Sequence, residues 1–456
     1  MSRDTRLHTA PAPEAPFLRD LFRGLEASGI RYCVLRNYEG LPESLLGSDL
    51  DLLVGEGAAL AATRRIIDET VDKHQGRVFW RAKNESLSSA LCVAGAGAGA
   101  IWGVPIDVLT GLRWRGIDYY DARWLLSRAR ERDGVRVAGF CDANMVGLLK
   151  ELLEGGRPRP EKPYARDAAT AFGEITALER RIITGFFPGA GEHLARALEE
   201  GIPSEPRELV RQLRRALLRR FGGSPLTFGR RLLKQWLIYG GRIRRPEGIF
   251  IAVLGFDGAG KSTLIDLVRA DLDRLLHTET EHRYARPGLM PALSRWMGAK
   301  PQVPAPLVDP HAKAPSGTFM SFIRVAYYTL DYVAGYWMGI HLKLVRNPTV
   351  IFFDRYFYDY FFDGKRFGVD LHPSAVSFFK RFIPEPKVTI MVRAAPEVAH
   401  ARKPELPVEE LRRQYGELSS LADKLAPVVW ISSDETVDLC RSKMLEVTLD
   451  ALFSRG

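Results

Sequence analysis

The sequence predicts an α/β protein: a C-terminal parallel sheet with helices on both faces, an N-terminal α/β domain, and a helical connector between them. Three observations carry this. After residue 247, apolar strand-like runs ("IFIAVLG", "TVIFFD", "VTIMV") alternate with helical patterns such as "TLIDLVRADLDRLL", as a parallel sheet covered on both faces requires. Before residue 165, short runs rich in branched residues ("RYCVLR", "DLDLLV", "GRVFWRA", "SLSSALCVAG", "VPIDVL") are separated by Gly-rich or polar turns. From 166 to 246, apolar residues recur at three- and four-residue spacing and little reads as strand. The expected domains are therefore 1–165, 166–246 and 247–456.

A chain of 456 residues with 46% hydrophobic content has ample material for two or three cores. Its formal net charge of +10 favours an acidic partner: a nucleotide, a phosphorylated substrate, an anionic membrane or nucleic acid. No RNA- or DNA-binding motif accompanies the charge, which makes nucleic acid the weakest of these. The four cysteines, Cys33, Cys92, Cys141 and Cys440, lie far apart without C-x-x-C spacing, so a reducing cytoplasm is expected and neither a disulfide framework nor a structural zinc site is. The start "MSRDTRLHTAPAPEAPFL" lacks the apolar core of a signal peptide. "FIRVAYYTLDYVAGYWMGIHL" carries Arg324 and Asp331, and reads as a long buried helix rather than a membrane span.

In the first domain the helical pattern "EAPFLRDLFRGLEASGI" leads into the strands. "GSDLDLLV" sets Asp49 and Asp51 two residues apart, which on a strand turns both to one face, and "VPIDVL" adds Asp107 near the end of another strand. Carboxylates gathered at one sheet edge suit a divalent metal. These residues resemble the nucleotidyltransferase superfamily, whose Ser-Asp-x-Asp strand and later Asp bind the metals that activate a hydroxyl and steady a triphosphate. In that family a Gly-Ser pair opens a helix well before the carboxylates. Here "LRNYEG" occupies that place and the Gly-Ser abuts Asp49, so triphosphate binding does not follow from the motif. Lys150, in "LLKELLEGG", either meets a phosphate or is a surface lysine; a tRNA-type transferase also stays open.

"AGAGAGA" at 94–100 reads as a flexible turn. The connector's second half, 207–245, gathers twelve Arg and Lys residues, among them Arg211, Arg214, Arg220 and Lys234, against the single acidic residue Glu208. With Phe228 and Trp236 between the charges, it reads either as a solvated face packed on its neighbours or as a peripheral contact with an anionic membrane.

"GFDGAGKSTL" follows directly on an apolar strand and opens a helix, the setting that a phosphate loop needs. Gly255, Gly258 and Gly260 let the backbone curl, with Asp257 and Ala259 between them, and the helix N-terminus at Lys261, Ser262 and Thr263 adds positive potential. In such loops the lysine reaches the β- and γ-phosphates of ATP and the serine hydroxyl meets Mg²⁺. The core 257–262, "DRY" at 354–356 and "VRAAPEVAHARK" after the strand "VTIM" resemble the thymidylate kinase family of P-loop nucleoside monophosphate kinases, over 248–456. The resemblance implies that Asp354 positions Mg²⁺, that Arg355 clamps the acceptor phosphate, and that Arg402 and Lys403, followed by Arg412 and Arg413, belong to a mobile lid.

Three features depart from that family. Asp331 matches an Ala-Asp-Arg helix but Tyr332 stands where the arginine would be; Arg286 lies in "HRYARPGLMP", without the acidic neighbour of an Arg-Glu-Pro-Gly turn; and "VDPHAKAPSG" and "DRYFYDYFFDGKRF" have no counterpart. The last two resemble a thymidylate kinase-like branch found in bacterial polysaccharide clusters. Tyr356 to Phe362 could stack on a sugar or base, or fill a core. The expectation is an ATP- and Mg²⁺-dependent phosphotransferase acting on a nucleoside monophosphate or glycan precursor, with a second nucleotidyltransferase site in the first domain. The rival is a nucleotide-sensing module of a membrane-associated polysaccharide assembly system.

Overall fold

The computed structural model describes residues 12–82, 86–94, 102–160, 162–221, 229, 233, 236, 237, 240–276, 278–291, 317–347, 349–425 and 427–454. The Gly-Ala turn, the insertion before residue 317 and the N-terminal segment fall outside them, save Ala94 and Gly317. The chain forms two compact units, Met1–Gly240 and Gly241–Gly456.

In the first unit, β1 (Tyr32–Val34), β2 (Leu50–Val54), β3 (Arg77–Ala82), β4 (Leu87–Ala94) and β5 (Trp102–Leu109) are followed by a separate hairpin, β6 (Leu112–Trp114) and β7 (Ile117–Tyr120). β8 (Arg130–Arg132) and β9 (Val135–Val137) then complete a mixed seven-stranded sheet in the order β3-β4-β5-β2-β1-β9-β8. Side chains alternate across it. Leu50, Leu52 and Val54 of β2 join the core beneath helix Ala15–Ala27, whose Phe17, Leu18, Leu21, Phe22 and Leu25 form one buried stripe. Leu53 turns to the opposite face, where helix Phe140–Glu154 packs.

That second face changes the expected domain plan. Helices Pro163–Gly173, Ala177–Gly185, Gly191–Glu200 and Arg207–Phe221 bury Phe172, Ile183, Phe187, Leu194, Leu198, Val210, Leu213 and Leu217 in one core with Leu53, Tyr120 and Leu148. Residues 166–221 are thus a layer of the first unit rather than a free connector. An apolar helical stripe and a bare sheet face each need cover, and each fully buried Leu or Phe adds about 2 kcal/mol. Arg214 fixes the last of these helices by donating to the Leu153 carbonyl from Nε at 3.1 Å and Nη2 at 2.7 Å.

The second unit holds β10 (Ile249–Leu254), β11 (Thr280–Tyr284), β12 (Val350–Asp354), β13 (Val388–Arg393) and β14 (Val428–Ser432), all parallel, in the order β11-β12-β10-β13-β14. β10 is the centre, and all six of its residues are buried. Helices Lys261–Leu276 and Val437–Phe453 are tied by Arg441 Nε on Asp271 Oδ2 at 2.5 Å. The long helix predicted from "FIRVAYYTLDYVAGYWMGIHL" runs Thr318–Gly335, widens into a π turn at Tyr336–His341 and ends at Leu342–Arg346. It is not buried all round: Val325, Thr329 and Tyr332 face the core, while Phe322, Leu330, Trp337 and Met338 are exposed. Among the described residues no helix is long and apolar enough to cross a membrane.

Candidate active site

β10 delivers the chain into the glycine loop. Gly255, Gly258 and Gly260 take φ of +149°, +80° and +87°, a region that side-chain-bearing residues rarely adopt. A Cβ at Gly258 would stand 2.3 Å from the Ala399 carbonyl oxygen, so the loop presses on helix Pro396–Arg402. Ala259 is buried and donates its N–H to the Phe256 carbonyl at 3.3 Å. Helix Lys261–Leu276 then begins, with Ser262 and Thr263 exposed in its first turn.

The parallel ladder pairs Val253 of β10 with Asp354, the last residue of β12, and so sets that carboxylate beside the loop. Ser262 Oγ donates to Asp354 Oδ2 at 2.5 Å, and His282 Nε2 stands 3.7 Å from the same oxygen. Asp354 Oδ1 is buried and accepts no hydrogen bond. A hydroxyl, a carboxylate and an open buried oxygen are a hard-oxygen donor set, which fits Mg²⁺. Lys261 is also buried, and its Nζ donates to the loop's own Phe256 carbonyl at 3.0 Å. Burial and the nearby Arg355 push its ammonium down to about 8, against the pull of Asp354, Asp359 and Asp363.

Arg355 lies where an acceptor clamp was expected, but its donors are committed. It is 2% exposed at φ +72°. Its Nη2 donates to Asp257 at 2.7 Å, and Nη1 to Asp359 at 3.0 Å and Asp363 at 3.2 Å. Arg366 joins them, pairing with Asp257 and, through Nε at 3.1 Å, with Asp363. Burial raises the Asp359 carboxyl to about 6, with Arg355 opposing the shift. The sequence reading missed Arg366, Asp359 and Asp363. Their signal was the four-residue spacing of Arg355, Asp359 and Asp363 inside an otherwise aromatic run.

Of the cations expected in a lid, Arg402 is near the loop: it donates to Ser433 Oγ at 3.1 Å and to the Ser433 carbonyl at 3.0 Å, and Ser433 borders Gly260. Lys403 pairs with Glu405, Arg412 with Glu397, and Arg413 with Glu410 and Glu417. A cavity of about 260 Å³ opens on the edge-strand side of Asp354, lined by Tyr284, Ala285, Arg286, Tyr328, Tyr332, Tyr356, Tyr360 and Phe367. Tyr284 is the ladder partner of Asp354. Tyr332, in the position expected for an arginine, donates its hydroxyl to the Ala285 carbonyl. Arg286 stacks 4.6 Å over Tyr328 and pairs with buried Asp331 at 3.0 Å. The aromatic run is therefore both core and wall, since Tyr356 and Tyr360 are buried yet border the cavity.

In the first unit, Asp51 and Asp107 are direct partners across the parallel β2–β5 ladder, and Asp49 lies two residues before Asp51. Asp51 Oδ2 accepts from Arg36 Nε at 2.5 Å, and Ser89 Oγ donates to Asp107. Lys150 borders a cleft of about 20 Å³ with Arg36, Asp51 and Tyr119. Among the described residues no three His, Cys, Asp or Glu side chains are grouped to hold a metal ion.

The basic stretch divides in two. Helix Arg207–Phe221 spends its apolar side on the core, as Val210, Leu213 and Leu217 show. Farther on, Leu233, Trp236, Leu237 and Ile243 are exposed.

No protein-family model matches the chain, and no curated protein matches it. Among solved structures, a thymidylate kinase from Ehrlichia chaffeensis aligns at 13% identity with a TM-score of 0.30, over 44% of this chain and 99% of its own.

Proposed function

We propose that the chain is an ATP- and Mg²⁺-dependent phosphotransferase that moves the γ-phosphoryl group of ATP to a small acceptor seated in the tyrosine-lined cavity. The single observation that carries this is the Ser262–Asp354 contact at 2.5 Å, with Asp354 Oδ1 left open under a glycine loop. Ser262 and Asp354 would hold Mg²⁺, which when bound offsets charge on the transferring phosphoryl. The chain's own residues do the rest. Gly255, Gly258 and Gly260 keep the loop curled, and the first-turn N–H groups of helix Lys261–Leu276 attract anionic oxygens. Lys261, leaving the Phe256 carbonyl, neutralises the terminal phosphates, and Arg402 reaches the loop from the far side. The test is transfer of label from γ-labelled ATP to acceptors of either class that the resemblance implies, nucleoside monophosphates or glycan precursors, beside Lys261→Ala. The reading fails if wild type moves no label or if the variant matches it.

A second reading, nucleotidyl transfer in the first unit, is favoured by the side-by-side placement of Asp51 and Asp107. It requires Arg36 to yield Asp51 to a metal with Asp49 and Asp107. Formation of a nucleotide-linked product from a triphosphate, lost in Asp107→Asn, would support it. Contact with an anionic membrane is proposed for residues 229–245 alone, where Trp236 is 69% exposed. Equal co-sedimentation of wild type and Trp236→Ala with phosphatidylserine vesicles would count against it.

A further inference from the structure

Resting on the phosphotransferase reading, we propose that the group accepting the phosphoryl is a neutral hydroxyl of a sugar-sized polyol, not a phosphate. A phosphate acceptor brings negative charge beside the negative charge already being transferred, so a site built for it must hold cations in reserve at the inner end of the acceptor cavity. Here that end is the turn between Asp354 and Phe367, which supplies both the cavity wall, through Tyr356, Tyr360 and Phe367, and the ion cluster behind it.

The two arginines of that turn are already matched, and its third cation, Lys365, is exposed and does not line the cavity. Arg355 meets Asp257, Asp359 and Asp363, and Arg366 meets Asp257 and Asp363, so two guanidinium groups face three carboxylates. The balance is negative before any ligand enters. Asp354 is left out of this balance because it would be matched by Mg²⁺, and Lys261 belongs to the triphosphate side.

The outer cations are committed as well. Arg286 pairs with Asp331, which is fully buried, and Arg324 donates to the carbonyls of Phe367 at 3.0 Å and Gly368 at 2.7 Å. What the cavity presents is aromatic: five tyrosines and a phenylalanine in about 260 Å³. Such faces stack on the C–H faces of a sugar ring without needing charge.

The step balances with these groups. The acceptor hydroxyl oxygen bonds to the γ-phosphorus, the bond from that phosphorus to the β–γ bridging oxygen breaks, and ADP leaves with that oxygen. The hydroxyl proton passes to solvent water. Asp359 stays behind the wall, its Oδ1 held by Arg355 and its Oδ2 by the Tyr356 N–H.

The experiment uses the full chain with Mg²⁺, γ-labelled ATP and two matched panels. One contains neutral hexoses, pentoses and N-acetylhexosamines; the other contains their monophosphates together with dTMP, UMP and CMP. The expected result is label on a neutral sugar as an acid-stable phosphomonoester, at least tenfold faster than on any monophosphate. Label appearing as an acid-labile diphosphate at an equal or greater rate overturns the inference while leaving the phosphotransferase reading standing. Label on neither panel, with or without Mg·ATP binding, overturns the phosphotransferase reading itself.

Discussion

Asp354 in the second unit and Asp51 in the first are both buried carboxylates on strands of a parallel pair, yet their surroundings differ. Asp354 ends β12 next to a glycine loop; its neighbour is a hydroxyl, and one of its oxygens stays open. Asp51 sits in β2 with the guanidinium of Arg36 at 2.5 Å. A carboxylate matched by a fixed cation is a structural pair until that cation moves, whereas one with an open buried oxygen is ready for a metal. The lesson is that a carboxylate motif specifies a ligand only together with what the fold sets against it.

The largest test of this contrast is kinetic. Lys261→Ala and Asp354→Asn are each expected to lower phosphoryl transfer about a thousandfold, or about 4 kcal/mol of barrier, measured as initial rates with labelled ATP. A loss under tenfold would make Asp354 as structural as Asp51. Next comes stability under urea. Arg355→Met strands buried carboxylates and should cost the second unit about 3–5 kcal/mol, while Arg36→Met, at a site 29% exposed, should cost the first about 1 kcal/mol. Equal costs would erase the distinction between a deep cluster and a partly screened pair.

A smaller effect probes the loop itself. Gly258→Ala, which brings Cβ against the Ala399 carbonyl at φ +80°, should cost about 1–3 kcal/mol and weaken ATP binding, read by thermal melts with and without nucleotide. Gly416→Ala, in a helix with open space, should leave ATP binding unchanged and raise stability by about 0.5–1 kcal/mol.

The smallest effect is a pH dependence. Asp359 faces Arg355, Asp363 and Lys261, with Tyr284, Tyr332 and Tyr360 nearby. Its carboxyl titrates near 6 in the fold against about 4 when unfolded, so the native state holds the extra proton between those values. The stability it contributes is present at acid pH and lost as pH rises through about 6. Asp359→Asn should remove that slope, so urea midpoints for wild type and variant at pH 4.5 and 7.5 should diverge in the variant's favour at the higher pH.

Much of this was legible in the residues. The strands "RYCVLR", "DLDLLV", "VPIDVL", "TVIFFD" and "VTIMV" form as their branched, apolar runs imply, and the glycine loop takes the positive φ that its spacing demands. The hairpin β6–β7 and the short strands β8 and β9 were missed, because three- and four-residue runs carry too little periodicity to register. Helices 166–221 were read correctly as helices and wrongly as a connector, since an amphipathic stripe says that a face will be buried but not against what.

The sequence by itself determined the local chemistry: where the backbone must curl, which strand leads into the glycine loop, and that Ser262 and a strand-end carboxylate would be available. Those are properties of short spans, set by glycine φ, strand period and helix start. Only the tertiary structure decided which charges remain in reserve. Arg355 and Asp257 are 98 residues apart in sequence, and Arg36 and Asp51 are 15 apart. Whether a guanidinium is a ligand or half of an ion pair depends on which carboxylates the fold brings within about 3 Å, and no local pattern encodes that.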